Sequence, residues 1–115
     1  MEAPVVHFEI GCRDKERTAR FFTDLFGWKM SPYGPATFIE SGGPGGIPGH
    51  ITALGHEPHH YVTVYVRVSD LQASVDKAVG LGGSLLVPPT PIPTGRFAWV
   101  SDLDGNTIGL LEAKR

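Results

Sequence analysis

The sequence has little of several features that would point to particular classes of protein. Its 115 residues include a single cysteine, Cys12, which excludes an intrachain disulfide. It has no apolar run near the roughly 18 residues that a membrane-spanning helix needs. Its N-terminus lacks the basic and then apolar layout of a signal peptide. These absences predict a cytoplasmic protein with no membrane partner.

The sequence also lacks a large excess of positive or negative charge. The chain has 10 Lys and Arg and 12 Asp and Glu, for a net charge of −2, and its basic residues are scattered. A nucleic-acid partner would call for a basic patch, so we expect none. The length suits one domain with a core of its own, spanning residues 1–115.

Glycine and proline are plentiful and divide the chain into short elements, and those elements repeat. At an offset of 56 positions, residues 5–14 overlie residues 61–70, and Gly27 overlies Gly83. Each copy reads as a strand, a capped helix that ends at glycine, and three more strands. A duplicated unit of this kind usually completes a shared core with its copy.

The predicted elements follow from the hydrophobic periodicity. In the first unit, about residues 4–53, we expect strands at 5–11, 28–31, 37–40 and 47–53 and a helix at 15–26. In the second, about residues 61–112, we expect strands at 61–68, 84–87, 96–100 and 107–111. Its helix should follow a capping box formed by Ser69 and Gln72. Residues 54–60 should form the linker. The sequence therefore predicts an α+β fold, with two βαβββ units forming a curved mixed sheet around a cup-shaped cavity and the helices outside.

Alternation along the first strand of each unit assigns its two faces. Apolar residues such as Phe8 should pack on the helix, since burying them is favourable. The opposite faces should then line the cavity as a polar, ligand-contacting surface. This assigns to ligand binding the side chains of His7, Glu9, Thr63, Tyr65 and Arg67.

Aromatic residues in later strands are further ligand-binding candidates, with ordinary core packing as the alternative. Phe97 and Trp99 share one face of their strand, and Phe38 is their counterpart in the first unit. Cys12 is interpreted as a small buried residue, since no base stands at a fixed spacing from it. The histidines at 56, 59 and 60 are interpreted as part of a solvated linker.

Three segments together resemble the vicinal oxygen chelate superfamily, which includes type I glyoxalases, bleomycin-resistance proteins and extradiol dioxygenases. They are VHFEI at 6–10, FFTDLFGW at 21–28 and DLDGNTIGL at 102–110. The last is similar to the family ending D-P-D-G-N-x-[IV]-E-L. The resemblance covers nearly the whole chain and implies the duplicated fold and a homodimer.

Family enzymes hold a divalent metal with one ligand from the first strand and one from the last strand of each unit. The resemblance places His7 at the first such position, and alignment of Gly46 with Gly105 matches His50 to Gly109. Thr63 and Gly109 then stand where two further ligands belong. Glu112 should point away from Gly109, because it lies three residues further along an alternating strand.

Three functional hypotheses remain open. The first is a small-molecule-binding protein of the glyoxalase and bleomycin-resistance type that lacks a complete metal site and binds a small organic molecule. The second is a metal-dependent lyase, isomerase or dioxygenase that uses His7 and His50 to hold Zn, Ni, Mn or Fe. The third is an accessory subunit with a vestigial cavity.

Overall fold

The computed structural model describes residues 2–40, 44–54 and 60–114. It contains two helices and eight strands among those residues, and the order βαβββ occurs twice, so the predicted α+β class is confirmed. The elements run in the order β1 (Val5–Gly11), α1 (Lys15–Phe26), β2 (Lys29–Tyr33), β3 (Ala36–Glu40), β4 (Gly49–Thr52), β5 (Tyr61–Arg67), α2 (Leu71–Gly80), β6 (Ser84–Ile92), β7 (Gly95–Ser101) and β8 (Thr107–Ala113).

Contacts divide the chain into two compact units. We call residues 7–63 the N-terminal unit, and residues 1–6 with 64–115 the C-terminal unit. The strand order is β2-β3-β4-β1 in the first and β5-β8-β7-β6 in the second. In each unit the first and last strands are parallel, while the other neighbours are antiparallel. Most of the predicted linker, residues 55–59, lies outside the described residues.

In the N-terminal unit, α1 has the predicted bounds because both of its ends carry capping signals. The Asp14 carboxylate accepts a hydrogen bond from the Arg17 backbone N–H. Gly27 then ends the helix with φ of 73°, a conformation that favours glycine. The Phe8 ring lies over Gly49 of the neighbouring strand and contacts Trp28. Phe8 is therefore on the face opposite His7, as strand alternation predicts.

In the C-terminal unit, the core lies between α2 and the sheet. It consists of Leu71, Val75, Ala98, Val100 and Leu110. Alternation along β7 and β8 supplies the last three of these residues. The intervening residues of β7, Phe97 and Trp99, consequently lie on the other face of the sheet.

Two details of the C-terminal unit differ from the sequence prediction. The helix N-cap is Asp70, whose carboxylate accepts a hydrogen bond from the Ala73 N–H, rather than Ser69. Strand β6 continues to Ile92 through three prolines, whereas the prediction ended it at 87. Because β6 is the edge strand of this unit's sheet, prolines can be accommodated. Its register against β7 shifts twice between Leu85 and Thr90.

Among the residues that the structure describes, neither helix has the length and apolar composition needed to span a bilayer.

Candidate functional site

Two histidines predicted from the sequence lie side by side in the N-terminal unit. His7 is on β1 and His50 is on β4, which run parallel to each other with Glu9 opposite His50. The His7 Nε2 and His50 Nδ1 atoms are 2.7 Å apart, at hydrogen-bond distance. Their rings are stacked, with centroids 5.0 Å apart.

The Glu9 carboxylate anchors this pair from the same face of the sheet. It is 4% exposed, and its Oε1 lies 3.2 Å from His50 Nε2. Its Oε2 accepts a hydrogen bond from the Tyr61 hydroxyl. Both oxygens of this buried carboxylate thus have partners, as a buried charge requires.

The partners fix the direction of the hydrogen bonds. A carboxylate accepts hydrogen bonds and does not donate them, so a hydrogen bond across the 3.2 Å between His50 Nε2 and Glu9 Oε1 requires a proton on His50 Nε2. In a neutral imidazole the other nitrogen is then an acceptor, and His50 Nδ1 accepts from His7 Nε2–H. The result is one chain, from His7 to His50 to Glu9, with Tyr61 donating at its far end.

Burial and these contacts shift two pKa values in the chain. The pKa of His7 falls to about 4, chiefly because burial disfavours its charged form and secondly because His50 is close; Glu9 opposes the shift in part. Burial also raises the pKa of Tyr61, and the hydrogen bond to Glu9 adds to the rise. At neutral pH, His7 and Tyr61 are therefore both uncharged.

Aromatic rings and a buried hydroxyl lie next to the hydrogen-bonded series His7, His50, Glu9 and Tyr61. Tyr33 contacts both Phe38 and His50, with ring centroids 5.8 and 6.2 Å apart. The Tyr61 ring covers Gly11, where any side chain would collide with it. Thr52, two residues beyond His50, has a buried hydroxyl that finds no partner in the described part of the chain. The surroundings therefore combine aromatic faces with polar groups.

The equivalent position in the C-terminal unit is filled differently. Tyr65 pairs with Gly109 in the register that Glu9 and His50 share, which agrees with the alignment of His50 to Gly109. A Cβ atom at residue 109 would lie 2.5 Å from the Tyr65 ring. The Tyr65 hydroxyl accepts a hydrogen bond of 2.8 Å from Trp99 Nε1, and the ring meets Phe97 edge-on. Aromatic side chains thus occupy the space that a metal-ligating side chain at residue 109 would need.

The remaining sequence candidates are placed as follows. Thr63 is buried and Arg67 is exposed. Glu112 lies on the helix side of its sheet, where it accepts hydrogen bonds from the Leu71 N–H and from Arg96. The sequence correctly excluded Glu112 from the position of Gly109. His60 is exposed, and His56 and His59 lie outside the described residues.

Sequence reasoning missed two members of this site, Tyr61 and Thr52. The signal for Tyr61 was available, because period-two alternation puts it on the same side of β5 as Thr63 and Tyr65. Alternation likewise puts Thr52 on the His50 side of β4. Neither residue matches a family motif position, and motif mapping alone could not find them.

The arrangement of donor atoms does not fit a divalent metal. His7 Nε2 and His50 Nδ1 point at each other instead of at a common point, and His50 Nε2 faces Glu9. A catalytic zinc usually takes three protein ligands that converge on one position. Among the described residues, no three His, Cys, Asp or Glu side chains form such a group.

Comparison with known proteins agrees with the duplicated fold. The model of the glyoxalase/bleomycin resistance protein/dioxygenase superfamily matches residues 5–110. A glyoxylase-like domain-containing protein of Didymella fabae is 30% identical over 86% of this chain and 85% of its own. A putative glyoxylase of Mycobacterium bovis, CFP32, is 28% identical over 89% of this chain and 42% of its own length, so the chain spans less than half of that relative.

Solved structures with low sequence identity share the fold. A glyoxalase/bleomycin resistance protein/dioxygenase superfamily member from Vibrio splendidus has a TM-score of 0.68 at 16% identity, covering 98% of this chain and 100% of its own. Methylmalonyl-CoA epimerase from Mycobacterium tuberculosis has a TM-score of 0.66 at 16% identity, covering 96% and 88%. With the family match across residues 5–110, the chain belongs to the glyoxalase/bleomycin resistance protein/dioxygenase superfamily.

Proposed function

We propose that this protein binds a small organic molecule without a divalent metal, through the face of the N-terminal unit that carries His7, His50 and Glu9. The observation that carries the proposal is the hydrogen-bonded chain itself. His7 Nε2, both nitrogens of His50 and both oxygens of Glu9 already have partners in that hydrogen-bonded chain. Binding a metal would break two of these contacts and leave the buried Glu9 less well satisfied.

The C-terminal unit supports the same proposal. A carboxylate ligand at residue 109 would need the space that the Tyr65 ring takes. That ring is only 6% exposed and is held by Trp99, so it has little freedom to move aside. The usual acidic ligand therefore has no place here, nor does a proton transfer that depends on it.

The surroundings of His7 indicate what kind of molecule would bind. Tyr33 and Phe38 offer ring faces, while the imidazoles and the Thr52 hydroxyl offer hydrogen bonds. Sites of this composition suit a planar molecule whose ring stacks and whose substituents form hydrogen bonds. We therefore propose an aromatic ligand that carries hydroxyl, carbonyl or amide groups.

Two measurements on the purified protein test this proposal. Elemental analysis should find zinc, nickel, manganese and iron far below one equivalent per chain, and calorimetric titration with each ion should show no saturable binding. A thermal-shift screen of substituted aromatic compounds should raise the melting temperature, because a ligand that binds only the folded state stabilises it.

A matched pair of histidine variants serves as the control. His7→Ala should abolish the ligand-induced shift, whereas His60→Ala, at an exposed position outside the site, should keep it. A stoichiometric metal that His7→Ala removes would contradict the proposal. It would favour the second candidate function, a metal-dependent lyase, isomerase or dioxygenase, in which His7 and His50 rotate toward a common ion. An absence of any hit that distinguishes the two variants would favour an accessory subunit.

A further inference from the structure

We propose that the molecule bound beside His7 is an aromatic cation, selected by the negative charge of the buried Glu9 carboxylate. The inference rests on the proposed function, because it concerns the same face of the N-terminal unit. It goes further by assigning the sign of the ligand's charge, which ring stacking and hydrogen bonding alone leave open.

Four side chains lie in one row across the sheet of the N-terminal unit. From β1 to β2, the row consists of Glu9, His50, Phe38 and Ser31. Directly paired residues share a face of the sheet, so an aromatic ring lies beside the imidazole that contacts Glu9. Tyr33 lies on this face as well, because its ring contacts both Phe38 and His50. A ligand seated against these rings is therefore one imidazole away from a buried carboxylate.

The charged residues of this face leave an excess of negative charge at its centre. Strand alternation puts Lys29 and Glu40 on the same face as Glu9. These two residues are exposed and lie opposite each other on β2 and β3, so their charges offset one another. The charge of Glu9, which is 4% exposed, is left without such an offset from a lysine or arginine on the described part of this face.

The other cations of the N-terminal unit belong to α1 or come just before it. Within the described residues they are Arg13, Lys15, Arg17 and Arg20. The helix packs on the opposite face of the sheet, where Phe22 stacks on Trp28 and Trp28 contacts Phe8. A cationic ligand beside His7 would consequently meet Glu9 without repulsion from these residues at close range.

The direction of the hydrogen bonds extends the negative potential of Glu9 toward the ligand. Tyr61 and His50 both donate to the Glu9 carboxylate, and His7 donates to His50. Each donor turns the positive end of its dipole toward the carboxylate and the negative end away from it. A neutral His7 that donates from Nε2 has its acceptor nitrogen, Nδ1, on the other side of the ring. The outer end of the hydrogen-bonded chain thus favours a ligand that donates hydrogen bonds and carries positive charge.

The aromatic rings of the site favour the same sign of charge. The face of such a ring is partially negative and attracts a cation that lies within about 6 Å of its centre. Tyr33 is 42% exposed, so a ligand has access to it, and its ring centroid is 6.2 Å from that of His50. A planar cation can therefore contact the ring and the imidazole together. An anion in the same place would be repelled by the ring face and by Glu9.

Three probes of the same shape test this assignment on the wild-type protein. At neutral pH benzamidine is a cation that only donates hydrogen bonds, benzamide is neutral, and benzoate is an anion that only accepts them. Isothermal titration calorimetry should show benzamidine binding at least about tenfold more tightly than benzamide, because the carboxylate attracts the cation at short range. Benzoate should show no saturable binding.

A matched pair of variants tests whether Glu9 is the source of the preference. Glu9→Gln keeps the size of the side chain and removes its charge, so the ratio of benzamidine to benzamide affinity should fall to about two or less. Glu16→Gln removes the same charge from an exposed position in the first turn of α1 and should keep the wild-type ratio. Circular dichroism and thermal unfolding establish that each variant folds.

A second pair of variants tests the ring at an exposed position, where folding is not at stake. Tyr33→Leu should weaken benzamidine binding about fourfold, whereas Tyr33→Phe, which keeps the ring, should leave it unchanged. If Glu9→Gln does not fold, this pair and the wild-type comparison remain decisive.

Several results would overturn the inference and leave the proposed binding site in place. They are equal affinity for benzamidine and benzamide, saturable binding of benzoate, and a preference for benzamidine that a folded Glu9→Gln protein retains. Absence of binding by all three probes would also overturn it, and the thermal-shift screen described above would then decide the proposed function separately.

Discussion

Glu9 and His50 on β1 and β4 stand in the same register as Tyr65 and Gly109 on β5 and β8. The backbone at the two places is equivalent, yet one pair belongs to a chain of polar groups and the other to a cluster of aromatic rings. In the first, a buried charge needs every partner it has. In the second, a glycine leaves room for a ring. The two copies thus share their strand pairing and differ in the side chains that this pairing brings together.

The largest loss of stability is expected at residue 109, where the Tyr65 ring of the C-terminal unit leaves no space for a side chain. Gly109→Ala brings a methyl group to 2.5 Å from the buried Tyr65 ring, which would have to move and weaken its hydrogen bond with Trp99. We expect the free energy of unfolding to fall by about 3 kcal/mol, the upper end for overpacking. Gly80→Ala is the control, because no atom lies within 4 Å of the added methyl group. Equal stability of the two variants in urea denaturation would show that the ring does not constrain residue 109.

Removing one hydroxyl from each unit compares the two clusters directly. Tyr61→Phe takes a donor from the Glu9 carboxylate and should cost about 2 kcal/mol, as for a hydrogen bond to a charged group. Tyr65→Phe takes an acceptor from the neutral Trp99 N–H and should cost about 1 kcal/mol. Chemical denaturation of both variants measures the difference. A larger loss of unfolding free energy for Tyr65→Phe than for Tyr61→Phe would mean that the hydroxyl bonded to Glu9 is not the more stabilising of the two.

The smallest effect concerns acid stability. The pKa of His7 is about 4 in the folded protein and 6.5 in the unfolded chain, so the unfolded state binds more protons between these values. Stability should therefore fall as the pH drops from 6.5 to 4, with no further loss from His7 below that. Solvent screening of this partly exposed group limits the loss to about 1 kcal/mol. In His7→Asn, denaturation midpoints across this range should lose that part of the slope, and an unchanged slope would assign it to other groups.

Much of the fold could be predicted because local signals and tertiary packing agree. The bounds of β1 and α1 followed from alternation, Asp14 and Gly27, each of which acts within a few residues. The predicted end of β6 and the predicted N-cap of α2 were wrong, because both depend on the surrounding structure. Prolines ended the predicted β6 early, although an edge strand tolerates them, and two adjacent polar residues competed for the N-cap of α2.

The candidate site was predictable only in part. His7 and Glu9 came from alternation and His50 from aligning the two units, yet their mutual hydrogen bonds could not be foreseen. Those bonds depend on side-chain rotamers and on the parallel pairing of β1 with β4. This pairing brings together His7 and His50, which are 43 positions apart in the sequence. Tyr61, whose hydroxyl donates a hydrogen bond to Glu9, was on the predicted face but matched no motif.

The prolines of β6 have a consequence for how the protein behaves at high concentration. An unprotected sheet edge offers a row of N–H and C=O groups to which another chain can add a strand, the first step toward fibrils. Pro88, Pro89 and Pro91 carry no N–H, and the two register shifts interrupt the regular spacing that an added strand would need. The edge strand β6 is thus protected against the addition of a strand from another chain. Replacing its prolines with threonine would restore the N–H groups and allow such a strand to pair with it.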